Sequence, residues 1–595
     1  MSVSRPLCTN PSLRSRALPA TGRGVVPACI ALLCGAIWIA GCSIDACSSD
    51  APIEAPLAAA ATTDNLAAAE RSIEVMEPRE EPTDAESGGL ARVSVQHPHE
   101  LRDLANPAHL RYLDLAFSDA DAPPPRTARP PEDDNPPPPR CEAFEPTVIA
   151  ARLPNLTELR TSGCGEEARH LLAELGHQLS ALELADIVLD AAMVSQLSRL
   201  TGLRTLILTR VKVTAPTVRP IARALALERI VLRDLERDSV LTELLAFTRG
   251  LKEIELEGRW AGYRSMEHIS KATSVQSLVL LDTSVNNWGL NQVKPLDQLR
   301  RFHWDGPRFN DHSPLYLRNL PIEELRCACP RLGNAGLRHL RLLKQLRRLE
   351  LKQPNISETG YAHLSRFVGL ESLHIDHCDV SDAIFAALAP LTKLHTLELT
   401  NASLTSRDTP SLALLTGLRH LVLRLDGFDD TPATHLAALT ELRSLNLGGT
   451  DISDAGLSAI TRLENLRALS LHHTRVTNRG LQHVGTLTRL EKLELDHTDL
   501  VDDGLRHLAA LRELRELRLD NTLVTDVGMA NLAGMTALER LNVANTVISD
   551  RGAAELAKLP ALQTVDLRGT RVRTYNQDRH ATEPSTLPDG QAAPR

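Results

Sequence analysis

A histidine next to carboxylates stands in the stretch TRLEKLELDHTDLVDDGL, which covers residues 488–505 of the 595-residue chain. Asp496 and His497 are adjacent, and Asp502 and Asp503 follow shortly after them. Carboxylate and imidazole groups hold divalent metal ions, and they also form acid–base pairs in active sites. The stretch therefore raises two chemical hypotheses, a metal site and a reactive pair, and the elements around it must decide whether either applies.

The same pattern returns on both sides of this stretch with a period of 24 residues. LRALSLHHTRVTNRGL precedes it, and LRELRLDNTLVTDVGM and LERLNVANTVISDRGA follow it. One threonine position recurs at Thr450, Thr474, Thr498, Thr522, Thr546 and Thr570. Counting back by the same period gives Asp426, Ala402, Cys378, Pro354 and Pro330 without an insertion. Because repeats decide the fold before any single residue can be interpreted, the histidine must be considered as part of a repeat unit.

The first half of each unit is predicted to be a short strand, because apolar and polar residues alternate as in a strand with one buried face. In LEKLELDHT the inward residues are Leu490, Leu493 and Leu495. The outward residues are Lys492, Glu494 and Asp496. Thr498 is expected to turn inward, where its hydroxyl can satisfy backbone groups of the neighbouring turn.

The second half, VDDGLRHLAAL, is predicted to be a short helix. Asp502 suits its N-cap or its first turn, where a carboxylate interacts favourably with the helix dipole. Gly504 is expected where adjacent helices approach closely. The buried face is predicted to consist of Leu505, Leu508 and Leu511.

The pattern L-x-x-L-x-L-x-x-T-x-[IV]-[ST]-[DN]-x-G-L resembles that of leucine-rich repeat proteins. Its 24-residue form is similar to the cysteine-containing type of F-box-associated proteins and to bacterial repeats of the GALA kind. The match covers residues 147–572. The resemblance implies an α/β solenoid, a horseshoe with short parallel strands on its concave face and short helices on its convex face. The motif residues are framework, so the resemblance implies little about function.

Residues 1–41 resemble a bacterial lipoprotein signal peptide. Several arginines precede an apolar run over residues 25–40, which ends in Ile39-Ala40-Gly41-Cys42. In the family this box precedes the cysteine that is lipidated, which implies lipidation of Cys42 and, because Ser43 follows, favours the outer membrane. An uncleaved anchor is the alternative, but 16 residues at about 1.5 Å each are shorter than the ~30 Å hydrocarbon core.

Composition divides the rest of the chain into four further segments. Residues 42–89 are poor in large apolar side chains and are expected to form a disordered tether. Residues 90–146 are expected to hold a degenerate first repeat, marked by HLRYLDL, and a proline-rich insertion. The repeats follow over residues 147–572, and residues 573–595 lose the period and are expected to be a disordered tail.

The cysteines suggest core positions rather than a metal site. Cys378 occupies the recurring threonine position and is predicted to be buried. Cys327 and Cys329 form a C-x-C without a second pair nearby, so no zinc site is expected there. Cys141 and Cys164 flank the first clear repeat, and whether they form a disulfide in an oxidising periplasm stays open.

The outward positions of successive strands form ladders on the concave face with a spacing of about 4.8 Å. His472, Asp496 and Asp520 are consecutive rungs from which a divalent ion could be held, but a solvated polar face explains them better, so no metal or cofactor is expected. His497 shares a column with His377, His473, Asn521 and Asn545, which hydrogen bonding in turns explains. Surface composition likewise explains a helical column of His339, His363, His435, His483 and His507.

Several function classes are disfavoured. The 66 basic and 75 acidic residues give a net charge of −9, and the outward positions contain no basic stripe, so nucleic acid is not an expected partner. Serine nucleophile motifs, phosphate-binding glycine loops and H-E-x-x-H are absent from the sequence, so no catalytic residue and no enzyme activity is expected.

The varied outward positions on a repeated frame favour recognition of a protein, a peptide or a glycan by a lipid-anchored protein of the bacterial cell envelope. A structural or adhesion element of the envelope is one alternative. An intracellular scaffold, such as a ubiquitin-ligase-like adaptor, is another. The expected binding residues on the concave face are Lys492, Glu494, Asp496, His472, Glu516, Arg518, Asp520 and Arg540.

Overall fold

The structure, a computed structural model, describes residues 91–95, 110–116, 153, 155–163, 165–236 and 240–573. The chain divides into two compact units, Met1–Ser87 and Gly88–Arg595, and every described residue belongs to the second. The expected signal peptide with Cys42, the tether, the proline-rich insertion with Cys141, Cys164 and nearly all of the tail lie outside the described residues.

Within this part of the chain, 21 strands form one sheet and two short strands pair beside it. The strands of the sheet are β1 (Ala91–Val95), β2 (Leu110–Ala116), β3 (Glu158–Ser162), β4 (Ala181–Ala185), β6 (Thr205–Thr209), β8 (Arg229–Arg233), β9 (Glu253–Glu257), β10 (Ser277–Leu281), β11 (Arg301–Asp305), β12 (Glu324–Ala328), β13 (Arg348–Lys352), β14 (Ser372–Asp376), β15 (Asp379–Val380), β16 (Thr396–Leu404), β17 (His420–Asp426), β18 (Ser444–Asn446), β19 (Ala468–Ser470), β20 (Lys492–Glu494), β21 (Glu516–Arg518), β22 (Arg540–Asn542) and β23 (Thr564–Asp566). The separate pair is β5 (Val188–Leu189) and β7 (Lys212–Val213).

Short helices follow the strands. The α-helices are α1 (Gly165–Leu175), α2 (Ala191–Leu197), α3 (Arg219–Ala224), α4 (Glu243–Phe247), α5 (Tyr263–Ile269), α6 (Asn287–Leu290), α7 (Ser313–Leu317), α8 (Asn334–Leu340), α9 (Glu358–Tyr361), α10 (Asp382–Leu388), α11 (Asp430–Ala433), α12 (Leu481–Val484), α13 (Asp502–Leu505), α14 (Asp526–Ala530) and α15 (Asp550–Leu556). Single 3₁₀ segments cover Val240–Thr242, Asn291–Val293, Ala362–Arg366, Pro410–Leu414, Thr434–Ala438, Gly456–Arg462, Arg506–Leu508 and Asn531–Gly534.

Each strand of the sheet pairs in parallel with its counterpart in the next repeat. Leu493 pairs with Leu517, which is 24 residues later, and the same offset relates the starts of successive main-sheet strands from β12 to β23, apart from the two-residue β15. The fold is therefore an α/β leucine-rich repeat solenoid, as the period predicts. The strand predicted in HLRYLDL is confirmed as β2, and pairing of β1 with β2 extends the sheet further back than residue 147.

A continuous aliphatic core fills the space between the strands and the helices. The predicted inward residues of the unit that contains His497 are all fully buried: Leu490, Leu493, Leu495, Leu505, Leu508 and Leu511. Thr498 is also buried, as predicted, at 5% exposure. Its hydroxyl donates to the Leu495 carbonyl at 2.5 Å, so it satisfies its own turn and not the neighbouring one.

In the C-terminal repeats, an aspartate or asparagine near the start of the helical segment ties neighbouring repeats together. Asp502 is the first residue of α13 and not its N-cap, and its carboxylate accepts from the backbone N–H of Thr525 at 2.7 Å and from its hydroxyl at 2.6 Å. Gly504 is needed for a close approach, as predicted, because a Cβ there would lie 2.6 Å from Asn478 Oδ1 of the preceding repeat. Gly504 therefore lies close to the Asn478 side chain as well as to the adjacent helix.

The predicted helix VDDGLRHLAAL is shorter and mixed in type. α13 covers Asp502–Leu505, and the 3₁₀ segment Arg506–Leu508 completes it. The tighter 3₁₀ geometry is common at helix C-termini and lets the chain return to the next strand within the 24-residue period.

The recurring inward position is displaced by one residue at two repeats. One displacement puts Pro330 on the surface and buries Cys329 in its place, and the other affects the inward position of β17. Counting by 24 places Asp426 there, but Asp426 is exposed and Leu425 is buried in its place. The register shifts between Leu399 and Ala402, so that Ala402 pairs with Leu425. Burying a carboxylate without a partner is costly, whereas a buried leucine is favourable, and Gly427 then takes the left-handed turn at φ 80°.

Candidate functional site

The expected binding residues lie on or just beyond consecutive strands near the C-terminal end of the sheet. We name the side chains that point away from the core along the strands the strand face. Lys492 and Glu494 belong to β20, Glu516 and Arg518 to β21, and Arg540 to β22. Ion pairs join four of these side chains, whereas Arg518 pairs with Asp496 and Asp520 instead.

A network of charged groups joins these strands. Lys492 Nζ lies 3.0 Å from a carboxylate oxygen of Glu494 and 3.0 Å from one of Glu516. Arg540 Nη2 lies 2.8 Å from the other oxygen of Glu516. Burial alone would lower the pKa of Lys492, but Glu494 and Glu516 raise it above its usual value. Each charge in this part of the strand face is therefore matched by an opposite charge nearby.

Asp496 and Asp520 depart from the expectation that they point outward. They follow the ends of β20 and β21, and they are 5% and 7% exposed. The guanidinium of Arg518 faces both, with Nε 3.7 Å from Asp496 Oδ1 and 3.4 Å from Asp520 Oδ1. Inward and outward residues alternate only within these three-residue strands. Beyond the strand ends, the side chains of Asp496 and Asp520 are covered by neighbouring groups.

The column of His497 takes a left-handed backbone conformation. The φ angles are 50° at His473, 55° at His497, 55° at Asn521 and 56° at Asn545. Asparagine and histidine are enriched in this conformation, which confirms that the column is a turn feature. The rings of His473 and His497 also stack, with centroids 4.0 Å apart and planes inclined by 22°.

One group of potential metal ligands stands out among the described residues. Asp496, His497 and Asp520 each offer a ligand atom, and these atoms lie within 4.8 Å of one another. In the same set of residues, Asp496 Oδ1 is buried and has no hydrogen-bond partner. The structure thus brings together the carboxylates of Asp496 and Asp520 and the imidazole of His497. His472, which the sequence places on the same ladder as the two carboxylates, is not part of this group.

His472 has a structural environment of its own. Its Nδ1 lies 2.8 Å from the Ser470 hydroxyl. The ring covers Gly448, where a Cβ would lie 2.0 Å from the His472 ring, so the glycine of that repeat makes room for the imidazole. Burial lowers the pKa of His472 below its usual value. His472 therefore packs along the sheet instead of completing the carboxylate cluster.

The cysteines that the structure describes are buried. Cys378 is 8% exposed, as predicted for its core position, and burial raises the pKa of its thiol to about 12. Cys327 and Cys329 are also buried, and their sulfur atoms lie 3.0 Å apart. Burial also raises the pKa of the Cys327 thiol, so neither Cys327 nor Cys378 resembles an activated nucleophile.

A shallow polar pocket of about 170 Å³ opens at the N-terminal ends of β18, β19 and β20. Sequence reasoning missed this pocket. It is lined by Glu441, Arg443, Asn465, Arg467 and Arg489. Arg467 pairs with Glu491, and Arg489 donates to the Asn465 side chain at 2.9 Å. The signal in the sequence is an arginine at equivalent positions of two successive repeats, Arg443 and Arg467.

Two members of the column of helical histidines contact the preceding repeat. His339 Nδ1 lies 2.9 Å from the Asp311 carbonyl, and His435 Nε2 lies 2.7 Å from the Asp408 carboxylate. Among the described residues these histidines form no cluster of metal ligands. None of the helices in this part of the chain has both the length and the apolar composition needed to cross a bilayer.

Comparisons with known proteins agree on the repeat. A family model described as "Leucine Rich repeat" matches residues 438–460. No curated protein matches the sequence.

Among solved structures, the chain is similar to an internalin from Listeria monocytogenes, with 19% identity, 53% of this chain and 82% of that chain covered, and a TM-score of 0.38. It is similar to a leucine-rich repeat protein of Leptospira interrogans, with 18% identity, 81% and 95% covered, and a TM-score of 0.34. It is also similar to TLR13 in its complex with ssRNA13, with 15% identity, 78% and 79% covered, and a TM-score of 0.48. All three scores lie below 0.5, so the assignment of the fold rests on the strand pairing and the repeat spacing described above.

Proposed function

We propose that this chain is a lipid-anchored recognition protein of a bacterial envelope that binds a protein or peptide, without catalysis, through the strand face of β20–β22. A leucine-rich repeat fold suggests protein–protein recognition. The observation that carries the proposal is the contrast between a frame that repeats every 24 residues and a strand face whose charged side chains differ from repeat to repeat.

The exposure of the charged network suits an interface. The side chains of Lys492 and Arg540 are 37% and 57% exposed, while those of Glu494 and Glu516 are 15% and 19% exposed. Pairs that remain partly solvated contribute little to stability, so a partner can exchange ion pairs with them at small cost. Such pairs chiefly give specificity and speed of association.

The alternation of charge favours a partner with mixed charges. Basic and acidic groups follow one another along β20, β21 and β22, so these strands offer no continuous basic stripe for a phosphate backbone. A protein or peptide surface that carries both signs of charge is the complementary partner, and a glycan contacted by the same polar groups is the nearest variant of this proposal.

The binding face can be tested by neutralising the network. A variant that combines Lys492→Gln, Glu494→Gln, Glu516→Gln and Arg540→Gln is expected to lose a partner that the wild-type chain captures stoichiometrically from an extract of the source organism. Asp496 and Asp520 are left intact because they are buried and therefore not available to a partner at the surface.

A matched control removes an equivalent network elsewhere on the strand face. Arg229 and Arg301 pair with Glu253 at 3.7 and 2.6 Å, and Arg229 also pairs with Glu255 at 3.3 Å. Changing these two arginines and two glutamates to Gln removes the same kinds of charge from other repeats. Capture that survives in the control and fails in the first variant supports the proposed face. Equal capture by both variants places the interface elsewhere.

The proposed envelope anchor depends on Cys42 and needs its own test. Wild type and Cys42→Ala are expressed in a bacterial host, and lipid labelling and membrane fractionation are measured. Labelling that is lost in the variant supports the anchor, and labelling absent from both favours an intracellular scaffold. Bulk binding to peptidoglycan or outer-membrane fragments, without a stoichiometric protein partner, would favour a structural or adhesion role.

A further inference from the structure

We propose that Asp496, His497 and Asp520 bind a divalent transition-metal ion, and that Zn²⁺ is the ion that this donor set fits. This inference does not depend on the proposed function. The sequence alone predicts no metal here, because the repeat pattern places these groups on a solvated face. The structure removes that reason, since both carboxylates are at least nine-tenths buried.

The ligand atoms are close to a coordinating arrangement. One atom from each residue lies within 4.8 Å of the other two. Imidazole nitrogen and carboxylate oxygen bind Zn²⁺ at about 2.0–2.2 Å in a tetrahedral arrangement, which places the ligand atoms about 3.3–3.6 Å from one another. The three atoms must therefore move closer together by up to about 1.5 Å when an ion binds. Three protein ligands leave one position for water or for another ligand.

The buried carboxylates have an unmet need for a cation. Asp496 Oδ1 has no hydrogen-bond partner among the described residues, although it is buried. Its other oxygen lies 3.3 Å from His497 Nδ1, and Asp520 Oδ2 accepts from the Asn521 side chain at 3.1 Å. Two buried carboxylates share one guanidinium, that of Arg518. A divalent ion would neutralise the charge that remains.

The surroundings restrict the rotation of the His497 imidazole and leave a path by which an ion can enter from solvent. The ring of His497 stacks on that of His473, with centroids 4.0 Å apart, which limits its rotation. The His497 side chain is 39% exposed, so an ion reaches the cluster from solvent without opening the core.

Arg518 is the competitor of the ion. Its Nε lies 3.7 Å from Asp496 Oδ1 and 3.4 Å from Asp520 Oδ1, and its side chain is 40% exposed. The guanidinium must swing toward solvent when the ion binds, so its removal is expected to tighten binding. The simpler alternative is an arrangement without metal, in which Arg518 alone neutralises both carboxylates.

The test is a calorimetric titration of Zn²⁺ into the full-length chain and into His497→Asn and Asp520→Asn variants. His497→Asn preserves the turn, because Asn521 and Asn545 hold the same left-handed conformation in the following repeats. Asp520→Asn keeps the side-chain shape and supplies a second variant. Melting temperatures in metal-free buffer show whether each variant is folded.

His377→Asn is the matched control. His377 has the same left-handed conformation, at φ 56°, and lies 2.8 Å from Asp376, but Thr400 occupies the position equivalent to Asp520. The wild type and this control are expected to bind one Zn²⁺ per chain. His497→Asn and Asp520→Asn are expected to bind at least ~100-fold more weakly, because the loss of outer partners alone weakens metal sites about 10–100-fold.

Two results would overturn the proposal. One is an affinity that is the same in the wild type and in all three variants, since Zn²⁺ would then be binding to other histidines. The other is a wild type without a saturable site. If Arg518→Gln binds Zn²⁺ and the wild type does not, the guanidinium is the native partner of the two carboxylates and the metal is excluded.

Discussion

Asp502 accepts two hydrogen bonds from Thr525 of the next repeat, one from its backbone N–H at 2.7 Å and one from its hydroxyl at 2.6 Å. The same paired contact links Asp430 with Ser453, Asp454 with Thr477 and Asp526 with Ser549. The carboxylate thus acts as a clasp between repeats. Since each repeat of a solenoid contacts only its neighbours, such contacts determine whether the array is cooperative.

We therefore expect Asp502→Ala to lower the free energy of unfolding by about 1–3 kcal/mol, because it leaves the partly buried donors of Thr525 without an acceptor. Asp503→Ala is the control, since that side chain is 74% exposed and pairs with Arg506. Its effect should stay within about 0.5 kcal/mol. Denaturant unfolding of both variants measures the difference, and equal midpoints would show that the clasp does not stabilise the array.

A glycine next to the clasp should tolerate no side chain. A Cβ at Gly528 would lie 2.4 Å from Asp502 Oδ1, so Gly528→Ala is expected to displace the carboxylate and lower the melting temperature. At Gly417 the nearest atom to a Cβ would be 3.7 Å away, and Gly417→Ala is expected to be neutral or slightly stabilising. A Gly528→Ala chain as stable as the Gly417→Ala chain would mean that the clasp can rearrange freely.

The buried threonine should contribute through its hydroxyl. Thr498→Val keeps the shape of the side chain but removes the hydrogen bond to the Leu495 carbonyl, and we expect a loss of about 0.5–1.5 kcal/mol. Thr488→Val changes an exposed threonine and serves as the control. Thermal unfolding compares the two. If they were equal, the hydroxyl would not explain why threonine recurs at this position.

Stability should fall in mild acid, partly because of His268. Burial and, secondarily, Lys271 lower the pKa of His268 in the folded chain, while Glu267 and Glu243 oppose this shift. The unfolded state then binds the proton more readily, so stability is full above the unfolded pKa of about 6.5 and is lost as the pH falls toward the lower folded value. His268→Gln should show a smaller difference between unfolding midpoints at pH 7.5 and 5.5 than the wild type. An unchanged difference would locate the proton uptake elsewhere.

The 24-residue period was sufficient to predict the strands, the aliphatic core and the burial of Thr498, because these depend on a local pattern that every repeat copies. The fate of Asp496 could not be predicted in this way. The strand ends after Glu494, and the left-handed turn at His497 lets neighbouring groups cover the carboxylate. Which side chains meet between repeats depends on rotamers and on register, and a pattern of residue types contains neither.

The shift at Asp426 has a similar origin. The sequence count assumes that every repeat turns at the same residue, but β17 is longer than the strands that follow it and turns at Gly427 instead. The contact between the sulfur atoms of Cys327 and Cys329 likewise depends on the direction of two inward side chains of one strand and the turn after it. Neither the shift at Asp426 nor the contact between the two sulfur atoms can be predicted from the composition or from the 24-residue period.

The most direct measurement of recognition through the strand face is site-specific photo-crosslinking in the source organism, with the crosslinker placed at Arg540 or at His507. Arg540 lies on β22 in the strand face, and His507 is exposed on the helical side of the repeat. The proposed function predicts one discrete crosslinked partner from position 540 and none from position 507. Crosslinks of equal yield from both positions, or from position 507 alone, would contradict it.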